Sequence, residues 1–557
     1  MIDGGIGLVK ALKTQRWATT LIGLALVVGA INYLINGLHY TTFDIGPAPD
    51  QIRDAVIYQE MLRGQLPTLG PGSSVGGYQL PPLYYYLVAP AAVLGADPMF
   101  TVWPNALLSF ASIPVFIGVI YLLLVDLSME RRWMLAAVAG LWYALLYPLV
   151  FISTFQWNPS PIPFFVFCAA LMYRALFRAQ MSFVLQAVIW AAYGVVMAVL
   201  VCLHSATLFV MPAIYLGSLI AYWIRHRKRL SLWGLPFLSV ASALLALLPY
   251  WYGELGRRLG NTKQIIRAVL GSDDDAQSGS GIAGRLGRIV WNYAELGWQS
   301  YFIGNGWPYR IIAVVFGVSV LGLGLWAIAK TFKGDRVLLN FLLAIWAVYL
   351  LAASSYTDAY VIHYKLLILI APIVLAVVTL AYCPLKGILG RAVRTAVSAG
   401  IVASMVSNLI YDGAYFASRF GPQRLMTSKD VVEIVRSLPA GATLCDPRYV
   451  RWRQQHHIAN YIDQYITQQG LELSQTCPAG SYLIDPKRVY LFTPTNVWPA
   501  FQTRQQSPLD QTVDTEVTLV NETTTARLYQ FETAAALDEC YSFVGDRYLD
   551  DSCPNLL

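Results

Sequence analysis

Apolar stretches of about 20 residues, the length a helix needs to cross a ~30 Å hydrocarbon core, recur along the first three quarters of this 557-residue sequence and then stop. No other feature narrows the fold as far. A chain of this length could make several soluble domains. Its 56% apolar residues, 13% charged residues and mean hydropathy of +0.51 suit a bilayer better than water. The sequence therefore reads as an α-helical polytopic membrane protein.

The joints between the stretches set their direction. Lys10, Lys13 and Arg16 precede the first stretch, 17–38, so the positive-inside rule places the N-terminus in the cytoplasm, with that stretch kept as an uncleaved anchor. Further crossings fall at 104–125, 133–153, 163–177, 183–203, 207–224, 232–252, 311–328, 338–354, 362–383 and 395–416. Every basic joint then returns to one side: Arg131 and Arg132; Arg178; Arg225, Arg227, Lys228 and Arg229; Lys330 and Lys333; and Lys386, Arg391 and Arg394. About eleven crossings satisfy all of these joints at once. The shorter run 81–94, with Tyr84, Tyr85 and Tyr86 suited to the headgroup zone, reads as an interfacial or re-entrant helix. Counting it as a crossing would invert every later joint. The expected location is the cytoplasmic (inner) membrane, with a membrane module over 1–416 and outer loops at 40–103 and 253–307.

The formal charge of +7 is unevenly placed, since residues 421–557 carry 11 Lys plus Arg against 16 Asp plus Glu. The basic excess belongs to the membrane joints, where it reports topology, and no nucleic-acid motif accompanies it. Residues 417–557 read as a small α/β soluble domain outside the cytoplasm. Helical patterns start after Thr427 and near His457, and "GATLC", "RVYLFTP", "TEVTLV" and "ARLYQF" read as strands. Of the seven cysteines, Cys168, Cys202 and Cys383 lie in or beside apolar stretches as small buried hydrophobes. Cys445, Cys477, Cys540 and Cys553 all lie in the tail, an even number that fits disulfides in an oxidising compartment, with the pairing open.

The long outer loops are where function is expected. If residues 50–62 form a helix, Asp50, Arg53 and Asp54 share one face, and a guanidinium between carboxylates beside the membrane can meet a lipid phosphate. An ion pair on a surface helix is the plainer reading. In the second loop, "GSDDDAQSGSGIAG" reads as a mobile segment whose Asp273, Asp274 and Asp275 are a solvated acidic run rather than a cation site. Arg53, Arg257, Arg258, Lys263 and Lys365 fall at the outer face, where they could cradle a departing phosphate or merely snorkel among headgroups. His204 and His363 also stand at outer span ends. His204 reads as a structural residue, and no spacing makes a metal site; His363 is the better functional candidate because it belongs to "HYK". Trp157 and the three tyrosines read as interfacial belt residues.

The sequence resembles a family. The order of an Asp at the start of the first outer loop, an Arg three residues later, "GQLPTLGP" and then "PPLYYYLVAP" is similar to membrane glycosyltransferases of the GT-C class, in the group of protein O-mannosyltransferases and lipid A aminoarabinose transferases. "WNPSPIPFF", "CLHSATLFVMPA", "LPYWYGELGRRLGNTKQI" and "HYKLLILIAP" follow in the expected order, so the resemblance covers roughly residues 17–385. It implies a GT-C fold and inverting transfer of a sugar from a polyprenyl-phosphate donor to an acceptor hydroxyl outside the cytoplasm. It also implies Asp50 as general base and Arg53 as a phosphate contact. Gln51 stands where many members have Glu, and "YQLPP" lacks the Glu-Lys pair of the aminoarabinose enzymes, so Asp54 becomes the nearest substitute for a second carboxylate. Arg257, Arg258, His363 and Lys365 complete the expected donor-phosphate set. The resemblance leaves the acceptor open among protein, lipid and polysaccharide, and it firmly implies no cofactor, a divalent cation being the one left open. The rival reading is a multi-span transporter, which would place its charges and broken helices near the bilayer midplane.

Overall fold

The computed structural model describes residues 2–36, 49–73, 77–92, 102–153, 157–178, 181–228, 232–270, 282–303, 307–354, 362–420, 428–445, 470–474, 478–486, 517–522 and 526–531. Among these, each of the eleven expected crossings contains a helix. Seven are long and apolar enough to span alone: Thr14–Ile35, Trp103–Leu123, Phe183–Leu203, Ser205–Arg225, Arg310–Lys330, Arg336–Ala353 and Gly387–Phe416. Two more are pairs bent at a short break, Met129–Ala144 with Tyr147–Ser153 at 56° and Gly234–Ala246 with Leu248–Gly256 at 61°. Each break has a local cause. Pro148 and Pro249 sit in the first turn of the second helix, where the missing N–H costs nothing but the residue before the ring is pushed out of helical geometry. The run 81–94 becomes the ten-residue helix Leu83–Ala92, too short to cross.

The remaining two expected crossings fall below that span length, and only the second is shorter than its expected stretch. Ile162–Arg178 has 17 residues. Ala371–Tyr382 has 12, preceded by a turn of 3-10 helix at Ile362–Lys365 rather than by the continuous span 362–383. Pro372 sets the helix start. The irregular stretch ahead of it is tolerable because Leu366, Leu367, Ile368, Leu369 and Ile370 are all buried in protein, 4% exposed at most.

Contacts divide the chain into two compact units. The first comprises Met1–Ile35, Leu66–Pro90 and Val102–Asp412. In it the helices meet through small residues and buried polar groups, as expected where lipid tails compete for apolar surface. A Cβ on Gly194 would strike the Ser239 carbonyl, so only glycine lets Phe183–Leu203 approach Gly234–Ala246, and the Ser242 hydroxyl donates across that contact to the Ala191 carbonyl at 2.8 Å. Asn32 donates to the Ala144 carbonyl at 3.2 Å and to Asp412 at 3.0 Å, tying three helices that are far apart in sequence. The Trp142 indole N–H donates to Ser404 at 2.9 Å, and Ser404 to the Tyr301 carbonyl at 2.8 Å. Near the basic joints, the buried Asp335 carboxylate caps Arg336–Ala353 through Val337 and Leu338 N–H at 3.0 and 3.1 Å. It also pairs with Arg174 at 2.7 Å and Arg178 at 3.4 Å.

The second unit comprises Asn36–Gln65, Ala91–Thr101 and Gly413–Leu557, so part of the first outer loop groups with the tail. It contains the helix Pro49–Leu62 and a mixed five-stranded sheet of order β2-β1-β3-β5-β4, with β1 Thr443–Cys445, β2 Glu472–Ser474, β3 Tyr482–Pro486, β4 Val517–Glu522 and β5 Ala526–Phe531. Strands β1, β2 and β3 pair in parallel, and the β4–β5 hairpin joins antiparallel through Tyr482 opposite Gln530. The expected helix after Thr427 is present as Ser428–Ser437 with Ile434 and Val435 buried. "RVYLFTP", the helical pattern near His457, the pairing of the four tail cysteines and the acidic run Asp273 to Asp275 all lie outside the described residues.

Candidate functional site

The helix Pro49–Leu62 puts Asp50, Arg53 and Asp54 at the spacing expected of them, with Pro49 suited to a first helical turn. The side chain of Asp50 lies outside the described atoms. Arg53 pairs with its neighbour: Nη2 is 2.7 Å from Asp54 Oδ1 and Nε donates to the same oxygen at 2.8 Å. Asp54 is fully buried, while Arg53 keeps 29% of its side chain exposed. A buried carboxylate that grips a half-exposed guanidinium orients that guanidinium. It is a poor choice for a base that must reach an acceptor.

In the other unit, the segment 66–80 doubles back on itself. Gly70 N–H donates to the Leu80 carbonyl at 2.7 Å, Leu80 to Pro71 at 2.9 Å and Ser73 to Tyr78 at 2.8 Å. A side chain on Gly70 would run into the Leu80 and Pro81 carbonyls. The Asn261 amide clamps this loop, accepting from Gln79 N–H at 2.7 Å and donating to the Gln79 carbonyl at 2.8 Å. Asn261 follows a tight turn in which Arg258 and Leu259 both adopt left-handed backbone, φ 54° and 59°, which is costly for residues with a Cβ. What holds the turn is Glu254. Its buried carboxylate accepts from Thr262 N–H and hydroxyl, both at 2.7 Å, and from Arg257 Nε at 2.9 Å. Arg257 reaches on to the Thr68 hydroxyl at 2.9 Å. Thus Arg257 braces the loop, while Arg258 and Lys263 are exposed.

The "HYK" turn gathers a second group. The His363 ring lies 4.4 Å from Trp157, 4.5 Å from Tyr364 and 5.4 Å from His204, and His204 lies 4.7 Å from Tyr364. His204 caps the helix Ser205–Arg225: its Nδ1 accepts from Ala206 N–H at 3.1 Å, so in the neutral ring the proton is on Nε2. His363 Nδ1 is buried without a hydrogen-bond partner among the described atoms. Beside it, the Lys365 ammonium is wholly buried and hydrogen-bonded to Glu295. The doubled-back loop touches the same region, with the Ser73 hydroxyl 2.9 Å from that of Ser205, next to the His204 cap. Tyr78 sits over Leu80 and Leu208, and burial pushes its hydroxyl above the ordinary phenol range. Two imidazoles and two aromatic rings thus cluster at a turn that also carries a buried, carboxylate-paired ammonium.

The sequence reading placed some of these residues differently. Tyr84 and Tyr85 are not interfacial belt rings, whereas Tyr86 is half-buried and donates to the Pro67 carbonyl at 2.9 Å. Tyr84 and Tyr85 are fully buried, Tyr84 accepts from Asn105 at 3.1 Å, and the half-buried Trp157 packs against His363 with the rings inclined by 57°. A belt needs rings at the lipid boundary, and the bonded partners here are inside. His204 caps a helix, as a structural residue would, and also borders the cluster. Glu295 carried one visible signal: it is the only acidic residue between Asp275 and Asp335.

No protein-family model matches the chain, and no curated protein sequence does. Among solved structures, the chain is similar to the aminoarabinose transferase ArnT from Cupriavidus metallidurans bound to undecaprenyl phosphate. The match has 14% identity and a TM-score of 0.49 and covers 92% of this chain and 98% of that one. It is also similar to the archaeal oligosaccharyltransferase AglB from Archaeoglobus fulgidus in complex with an inhibitory peptide and a dolichol-phosphate, at 12% identity and a TM-score of 0.42, covering 84% of this chain and 69% of that one. Both are GT-C glycosyltransferases, the class that the sequence resembles. Likeness at this level assigns no donor, acceptor or site residue to the present chain.

Proposed function

We propose that this multi-pass membrane protein is an inverting glycosyltransferase that moves a sugar from a polyprenyl-phosphate carrier to an acceptor hydroxyl on the extracytoplasmic face. The supporting observation is where the polar cluster sits. His204 lies between the ends of two spans, Phe183–Leu203 and Ser205–Arg225, whose other ends carry Arg178 and Arg225. Trp157, Glu295, His363 and Lys365 likewise follow or precede spans at the ends opposite the basic joints. A transporter would place its site near mid-membrane between repeats. A phosphate receptor at headgroup depth suits a lipid-linked donor.

In this reading Asp50 takes the proton of the acceptor hydroxyl, and the acceptor oxygen bonds to the anomeric carbon from the face opposite the phosphate. The sugar–phosphate bond breaks with its electron pair on the phosphate oxygen. The carrier leaves as a phosphate monoester whose added charge the cations expected to contact the donor, Arg53, Arg258, His363 and Lys365, each help to stabilise, and Arg257 braces the loop at Thr68. The test is sugar transfer from radiolabelled polyprenyl-phosphate donor in reconstituted membranes, together with donor binding. Asp50→Asn should cut turnover by roughly 10²–10⁴ and leave donor binding intact, the loss of a positioned base. Arg53→Ala should weaken donor binding as well, since its partner is present in the ground state. Full turnover by folded Asp50→Asn would remove Asp50 from the role.

A further inference from the structure

Glu295 spends its charge on a lysine 70 positions away. Lys365 exposes none of its side chain, whereas Glu295 keeps 16%. An ammonium held at that depth needs an anion beside it. A carboxylate and the phosphate diester of a lipid-linked sugar each carry a single negative charge, so one can take the place of the other without changing the local balance. Glu295 also stands on a helix with an exposed apolar row. Its helix, Ile282–Leu296, leaves Leu286, Val290 and Trp291 57%, 63% and 60% exposed, while Asn292, Tyr293 and Leu296 are buried. An exposed apolar row of this kind suits a headgroup and acyl boundary. Arg288 pins the same helix, donating from Nε to the Ser354 carbonyl at 2.5 Å.

We propose that Glu295 is a positioning residue that stands in for the donor's phosphate: it holds Lys365 in the empty protein, yields it to the incoming lipid phosphate, and competes for it again when the product leaves. This rests on the reading of Lys365 as a donor-phosphate ligand. Competition matters most after transfer, because the carrier released as a monoester carries nearly twice the charge of the diester that entered. Without a rival anion, a buried ammonium would hold the product longer than the substrate.

The experiment uses the full chain in lipid nanodiscs and polyprenyl monophosphate as the probe. Glu295→Gln should bind the probe roughly ten- to hundredfold more tightly, the worth of one freed charge-assisted hydrogen bond. Product inhibition should strengthen in step, with KM for donor and kcat both falling. Glu295→Asp, which keeps the charge, should restore behaviour near that of the parent. In a Lys365→Met background, Glu295→Gln should leave probe affinity unchanged. If folded Glu295→Gln binds the probe no more tightly than the parent, the pair is only a structural tie and the proposal is overturned. If the parent chain itself binds no polyprenyl monophosphate, the glycosyltransferase reading fails, and this proposal with it.

Discussion

Glu254 lends itself to a stability experiment whose size follows from the geometry. Its two carboxylate oxygens accept three hydrogen bonds, two from Thr262 and one from Arg257. Glu254→Gln keeps the shape and one acceptor oxygen. With that oxygen toward Thr262, the new NH₂ faces Arg257, which has 34% of its side chain exposed and can turn to water. The loss is then one charge-assisted bond discounted for that exposure, about 1–2 kcal/mol. Glu254→Ala removes all three bonds, leaves a half-buried Thr262 N–H without its acceptor and frees a turn already strained at Arg258 and Leu259, so about 3–5 kcal/mol is expected. Arg257→Ala should fall between the two, because Glu254 keeps both Thr262 donors. The assay is reversible unfolding in mixed micelles followed by tryptophan fluorescence. Equal losses for Gln and Ala would show that Glu254 is not the brace of the turn. A loss for Arg257→Ala larger than for Glu254→Ala would reverse the assigned roles.

Asp335 separates capping from charge pairing. Asp335→Asn can still cap Arg336–Ala353 but leaves Arg174 and Arg178 unpaired, whereas Asp335→Ala loses both functions, and the same unfolding assay should find the alanine variant weaker by a further ~1 kcal/mol, the usual worth of a cap. The topology reading expects the segment after Phe416 to be labelled or cleaved by impermeant reagents on intact cells while Arg225 to Lys228 is protected, and the reverse pattern would refute it. The tail cysteines are expected to form two disulfides, each stabilising the small domain by ~2–4 kcal/mol, and four free thiols in non-reduced peptide mass spectra would exclude them.

The crossings were legible because they follow from composition and a charge rule that acts joint by joint. Basic residues at Arg131, Arg178, Arg225, Lys330 and Lys386 give an expected orientation, one the topology experiment above tests. The helix at Pro49 and the strands "GATLC", "TEVTLV" and "ARLYQF" were legible from local periodicity. Pairings at long range were not. Arg257 meets Thr68 across 189 positions and Lys365 meets Glu295 across 70, and no period or joint rule carries that information. The sequence marked these cations as lying at one end of the membrane module. It could not tell a cation facing solvent from one already held by a buried carboxylate.

The prolines connect the two kinds of feature. Pro148, Pro249 and Pro372 each interrupt an expected crossing, and each does so toward the end away from the basic joints. A proline inside a span frees carbonyls that hydrocarbon cannot satisfy, so such a break survives only where protein or water takes over the bonding. Beyond these breaks lie the residues of the polar region. Trp157 follows Tyr147–Ser153, Glu254 and Arg257 stand at the end of Leu248–Gly256, and His363 and Lys365 precede Ala371–Tyr382. The same interruptions thus fall at the ends of the crossings next to which the imidazole pair, the braced loop and the buried ammonium are found. Pro372→Ala lifts the restriction on the residue before the ring and is expected to let Ala371–Tyr382 extend toward Ile362–Lys365, loosening the contact of His363 with Trp157; unchanged Trp157 fluorescence in the variant would refute this.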